Sequence, residues 1–130
     1  MQKTSPFSKI AEKYGLRLIL LFGSQAKGFT HAQSDLDIAV EFRGAAPEFK
    51  KQTELSSALQ DIYPDQIVDL AILNRADPLF ANQVTENCTL LYGDETHLAE
   101  VKAINYRRYI DHTRFFAMEK EYVRKRIDKG

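Results

Sequence analysis

Residues 22–40 read FGSQAKGFTHAQSDLDIAV, and the sense of this stretch decides how the rest of the chain is assembled. Its second half, continued to Phe42, alternates. Leu36, Ile38, Val40 and Phe42 fall on one side, and Asp35, Asp37, Ala39 and Glu41 on the other. That period of two is the mark of a strand. Immediately before the stretch, LRLILLF from Leu16 to Phe22 is a short apolar run between Gly15 and Gly23, as expected of a strand covered on both faces. Two strands are therefore joined by a polar loop that begins at Gly23-Ser24. Aspartate is depleted in strands, so the pair Asp35 and Asp37 needs a physical reason.

Working outward, Ser5-Pro6 reads as a helix cap with proline in the first turn, and Gly15 as the helix stop. Residues 47 to 61, with Leu55, Ala58 and Leu59, read as a second helix, and QIVDLAIL (66–73) as a third strand carrying Asp69. DPLFANQVTENC is a helix opened by Asp77 and Pro78. TLLY before Gly93 is a fourth strand, and a long helix is expected from about Glu95 to Arg126. The order α-β-β-α-β-α-β-α predicts an α/β (α+β) domain, a small mixed sheet flanked by helices. Tyr63-Pro64-Asp65 and Arg43-Gly44 are the turn signals between elements. With no repeat and no linker, one domain over residues 1–130 is expected.

The 130 residues are enough to bury a core. No apolar run approaches the roughly 20 residues that span a bilayer, and the N-terminal MQKTSPFSKIAEKYG lacks an apolar signal core. Cys88 is the single cysteine, which excludes an intrachain disulfide and a thiolate cluster and suits a cytoplasmic location. The net charge of zero conceals an asymmetry: from Leu98 onward nine Lys and Arg face five Asp and Glu, a balance of +4, and the remainder carries −4. The asymmetry suits a charged partner or ligand, but on charge alone a solvated helix face is the preferred reading. The absence of an overall basic balance argues against binding long nucleic-acid tracts.

Residues i and i+2 of a strand share a face, so Asp35 and Asp37 stand side by side, roughly 6–7 Å apart at the backbone. Like charges so placed are unfavourable unless a cation or a shared proton neutralises them. Oxygen ligands suit hard cations, Mg²⁺ above all, which is held by one or two carboxylates together with substrate phosphates. Asp69 is a third carboxylate in an apolar run, where an unpaired charge is costly. Should its strand neighbour that of Asp37, the three acids converge as an in-line phosphoryl or nucleotidyl displacement on two metal ions requires. Gly23-Ser24 offers a close backbone approach, N–H groups and a hydroxyl to phosphate oxygens, and Lys27 a cationic contact. No G-x-x-x-x-G-K-[ST] occurs, so this is not a P-loop ATPase.

Gly23-Ser24, ten residues and then Asp35-x-Asp37 resembles the GS-x10-DxD signature of the polymerase-β-like nucleotidyltransferases. FGSQAKG…SDLDIAV is similar to the minimal nucleotidyltransferase (MNT) branch, whose members are antitoxins paired with HEPN-domain toxins. The resemblance spans about Leu16 to Leu73, a catalytic core to which the helix of about 95–126 is appended. It implies that Gly23 and Ser24 bind the nucleotide triphosphate, that Asp35, Asp37 and Asp69 bind the metals, and that Asp69 assists deprotonation of the acceptor. Lys27 stands where many members have Arg and would contact phosphate without the bidentate fork; Ser34 would cap the loop or contact phosphate. The implied cofactor is Mg²⁺, two ions, with ATP as substrate. The implied partner is a HEPN ribonuclease toxin encoded next door, silenced by AMP transfer to a tyrosine.

The elements use nearly the whole chain and leave no second lobe for a small acceptor, which favours a macromolecular one. The alternatives are a binding-only antitoxin with a vestigial nucleotide site and a nucleotidyltransferase with another acceptor; the intact acidic triad argues against decay. Glu41, farther along the acidic face, reads as structural, and His31 as a solvated loop residue. Arg107 and His112, separated by four residues, resemble the R-x4-H element of HEPN ribonucleases. Those domains are all-helical, which the strand pattern contradicts, so chance explains the match. The terminal helix has a broad apolar surface, with Tyr109, Phe116 and Val123 at sevens.

Overall fold

The computed structural model describes residues 5–23 and 35–129. The chain runs α1 (Pro6–Tyr14), β1 (Leu16–Phe22), β2 (Leu36–Phe42), α2 (Phe49–Ile62), β3 (Val68–Ile72), a 3₁₀ turn (Leu73–Arg75), α3 (Pro78–Glu86), β4 (Cys88–Tyr92) and α4 (Glu95–Lys129). The four strands form one mixed sheet in the order β3-β2-β1-β4. β1 pairs antiparallel with β2 and with β4, whereas β2 and β3 are parallel. A parallel neighbour needs a crossover, and α2 provides it.

The caps follow the sequence. Ser5 accepts a hydrogen bond from the Ser8 N–H ahead of Pro6, and α1 stops at Gly15 in the left-handed conformation. Asp77 caps α3 by accepting from the Phe80 N–H. Boundaries move where side chains intervene. Helix α2 starts at Phe49 rather than 47 because Pro47 and Glu48 remain extended or irregular, with Glu48 as the cap residue. Residues 66 and 67 are drawn out of β3 into a turn, α3 ends at Glu86 so that Cys88 can pair with Phe22, and α4 continues to Lys129.

The sheet separates two cores. On one face Leu16, Ile19, Leu36, Ile38, Val40 and Phe42 pack against Ala11 of α1 and Leu55 and Leu59 of α2. On the other, Leu18, Leu20 and Ala39 pack against Val84 of α3 and Leu98 and Val101 of α4. The result is a helix–sheet–helix sandwich, and β1 is apolar on both sides because both sides are covered. A register shift between Leu16 and Leu18 sets one extra residue, the exposed Arg17, against β2. This bulge lets Leu16 and Ile19 share a face despite their odd spacing. No helix among the described residues is long and apolar enough to cross a membrane.

Candidate active site

The carboxylates gather at the end of the sheet where β1 finishes. In the register, Phe22 faces Asp37 across the β1–β2 pair and Asp69 lies beside Asp37 across the parallel β2–β3 pair. Adjacent strands are about 4.8 Å apart, so Asp37 and Asp69 are immediate neighbours on one face. It is the face of Ala39 and Ala71, which α3 and α4 cover farther along. Asp35, exposed and one residue ahead of β2 rather than within the strand, adds its charge to Asp37. The Leu36 N–H donates to the Ile67 carbonyl at 2.8 Å, tying the starts of the two acidic strands together.

Electrostatics records this crowding. Burial, then the charge of Asp69, then that of Asp35, hold the Asp37 carboxyl above its usual range. Gly23 closes the site from the β1 side. It has φ +79°, and a Cβ placed on it would come within 2.5 Å of Asp37 Oδ2. The backbone at Gly23 thus lies directly against the central carboxylate, and glycine satisfies both the positive φ and the contact. Ser24, Lys27 and Ser34 lie outside the described residues, as does His31.

Among the described residues no group of three His, Cys, Asp or Glu is arranged to hold a metal ion by itself. The donor chemistry still fits Mg²⁺, which takes one or two carboxylates and completes its shell with water and substrate phosphates. Burial and the like charges of Asp69 and Asp35 raise Asp37, a repulsion that a bound cation would relieve.

Two side chains absent from the sequence reading hold Asp69 in place. Gln60 of α2 accepts from the Val68 N–H at 2.9 Å and donates to the carbonyls of Tyr63 and Gln66, clamping the turn that leads into β3. At the far end, Asn74 accepts from the Phe42 N–H and donates to the carbonyls of Phe42 and Gly44. Their only sequence signal is a polar amide beside buried apolar positions. Glu41 is a strap: His97 Nε2 of α4 donates to its Oε1 at 2.6 Å. His112 stacks edge-on against Phe116, with ring centroids 4.6 Å apart, which gives it a packing partner on its own helix.

Comparison with known proteins agrees with this geometry. Shewanella oneidensis protein adenylyltransferase MntA is 33% identical over 100 residues, covering 73% of this chain and 68% of that protein. A crystallised toxin–antitoxin bound to AMP-PNP superposes with a TM-score of 0.71 at 24% identity, over 97% of this chain and 98% of that one. A chain from the complex of tri-AMPylated Shewanella oneidensis HEPN toxin with MNT antitoxin gives a TM-score of 0.63 at 23% identity, over 93% and 92% of the two chains. At these identities the solved structures speak for the fold. Residues 7–97 match the family described as polymerase beta, nucleotidyltransferase, and the chain belongs to that family.

Proposed function

We propose that this chain is the antitoxin of a HEPN/MNT toxin–antitoxin pair and a protein adenylyltransferase, transferring AMP from ATP to a tyrosine of its HEPN ribonuclease toxin. The observation that carries the reading is the parallel register setting Asp69 beside Asp37, against the Gly23 turn, in a chain 33% identical to a protein adenylyltransferase. The whole chain is read as one minimal nucleotidyltransferase domain.

In this reading Gly23 and Ser24 receive the triphosphate through backbone N–H groups and the hydroxyl, with Lys27 and Ser34 as further phosphate contacts from the same loop. Asp35, Asp37 and Asp69 hold Mg²⁺, read as two ions. Bound there, the metal neutralises the phosphate charge that develops during in-line displacement. The acceptor phenol oxygen bonds to the α-phosphorus as the bond from that phosphorus to the α–β bridging oxygen breaks. Diphosphate leaves, and the phenolic proton passes to the Asp69 carboxylate as general base. The toxin's own surface supplies the alignment.

The test is transfer of labelled AMP from ATP to the purified toxin in Mg²⁺. Label on a toxin tyrosine, abolished in Asp35→Asn and Asp37→Asn, is the expected result. Neutralisation of the toxin by both variants without any label from the wild type would replace this reading with antitoxicity by binding alone.

A further inference from the structure

Helix α4 has 35 residues, about 52 Å at 1.5 Å per residue, and only its first three turns rest on the sheet. Leu98, Val101 and Asn105 are buried, the last donating to Thr85 Oγ1 of α3. Beyond Asn105 no described residue is fully buried. The buried stripe nevertheless continues in register: Tyr109, His112, Phe116 and Val123 follow Leu98, Val101 and Asn105 at intervals of three, four or seven, all on one side of a 3.6-residue helix. Phe116 is 55% exposed and Val123 50%. Small Ala117 leaves a hollow of about 560 Å³ bounded by Phe116, Glu119, Lys120 and Val123, a socket of the kind that receives a side chain from a facing helix.

Phe116 and Val123, in line with the partly exposed Tyr109 and His112, leave an apolar strip along this face of the helix. An isolated helical extension is marginal in water, and a partner along this face would remove the patch. Charge selects the partner. The segment from Leu98 onward carries +4, so pairing α4 with a second copy of itself would set basic against basic, whereas an acidic surface complements it. Position selects it too. The stripe starts on the sheet face that bears Asp37 and Asp69, and His97 of α4 is tied to Glu41 four residues along β2 from Asp37.

We infer that the distal half of α4, centred on Phe116 and Val123, is the docking surface for an acidic, apolar-faced helix of the HEPN toxin, holding it on the side of the sheet where the carboxylates lie. This inference rests on the antitoxin reading above and adds the surface and the chemistry of the partner. The proposed test measures affinity of the full chain for the purified toxin, alongside AMP transfer, for the wild type, Phe116→Glu, Val123→Glu and Phe116→Leu. A loss on the order of 100-fold in both glutamate variants, near-wild-type binding by Phe116→Leu and an unchanged melting temperature of the free chain are expected. Weaker binding at higher salt is expected as well. Wild-type affinity in both glutamate variants, while the wild type still labels the toxin, would overturn the docking surface and leave the antitoxin reading standing. A free wild-type chain that is dimeric by light scattering, and monomeric as Phe116→Glu, would assign the face to a second copy instead. Failure of the wild type to bind or label the toxin would remove the antitoxin reading itself.

Discussion

Gly23 and Asp37 constrain one another more tightly than any other pair at the site. Alanine at position 23 would combine a strained positive φ, worth about 1–2 kcal/mol, with a Cβ driven into Asp37 Oδ2. Gly23→Ala is therefore expected to lower the unfolding free energy by about that amount in urea titration. It should also cut AMP transfer by on the order of 100-fold, because a displaced carboxylate misaligns the reacting groups. Asp37 itself is a charge that the fold tolerates poorly. Its folded-state carboxyl titrates above the ordinary value near 3.8, so the folded state favours the protonated form. The associated stability is present below that value and is lost as pH climbs through the raised one. In chelator, the wild-type melting temperature should fall relative to that of Asp37→Asn as pH rises from about 4 towards neutrality. At neutral pH the asparagine variant should be the more stable protein and inactive. Added Mg²⁺ should raise the wild-type melting temperature and leave that of the variant unmoved. The acidic pair was legible from alternation alone; the contact of Gly23 with Asp37 was not, since it joins residues on different strands.

At the scale of elements, β3 decides whether the third carboxylate reaches the site. It is a short strand of five residues at the sheet edge, and α2 and the 3₁₀ turn fasten it at both ends through Gln60 and Asn74. Gln60→Ala leaves the Val68 N–H and the Gln66 carbonyl without the Gln60 amide, while the Tyr63 carbonyl keeps the Gln66 N–H, a loss of about 1–3 kcal/mol. It should also reduce transfer by letting Asp69 drift from Asp37. Gln60→Glu keeps the acceptor for Val68 but loses the donor, and should fall between the two in both denaturant midpoint and rate. The existence and order of every helix and strand were readable, because apolar period and caps are local signals. The bounds of β1 were readable as well, whereas those of β3 were not, because Gln60 and Asn74 from other elements fasten its ends. The bulge at Arg17 follows from pairing geometry that no single strand reveals. Glu41, read from its position as structural, finds its reason only in His97 of α4.

For the whole molecule, two cores share one sheet, and the body's stability resides there. Leu59, fully buried between α2 and the sheet, should cost about 2–5 kcal/mol when cut to alanine, as measured by chemical denaturation. Among the described residues the distal half of α4 contributes none that is buried, so a chain ending after His112 should melt within a few degrees of the full chain while losing toxin binding. The sequence by itself determined the class of fold, the chain of elements, the Gly-Ser turn and the three acids, because alternation, capping and residue chemistry act over a few positions. Tertiary structure alone decided that Asp69 stands beside Asp37. Parallel pairing of β2 with β3 depends on the crossover of α2, and a slip of one residue would have turned Asp69 to the opposite face. It also decided that α4 outruns its own core. Helical period marks an apolar face but not where the sheet beneath it ends.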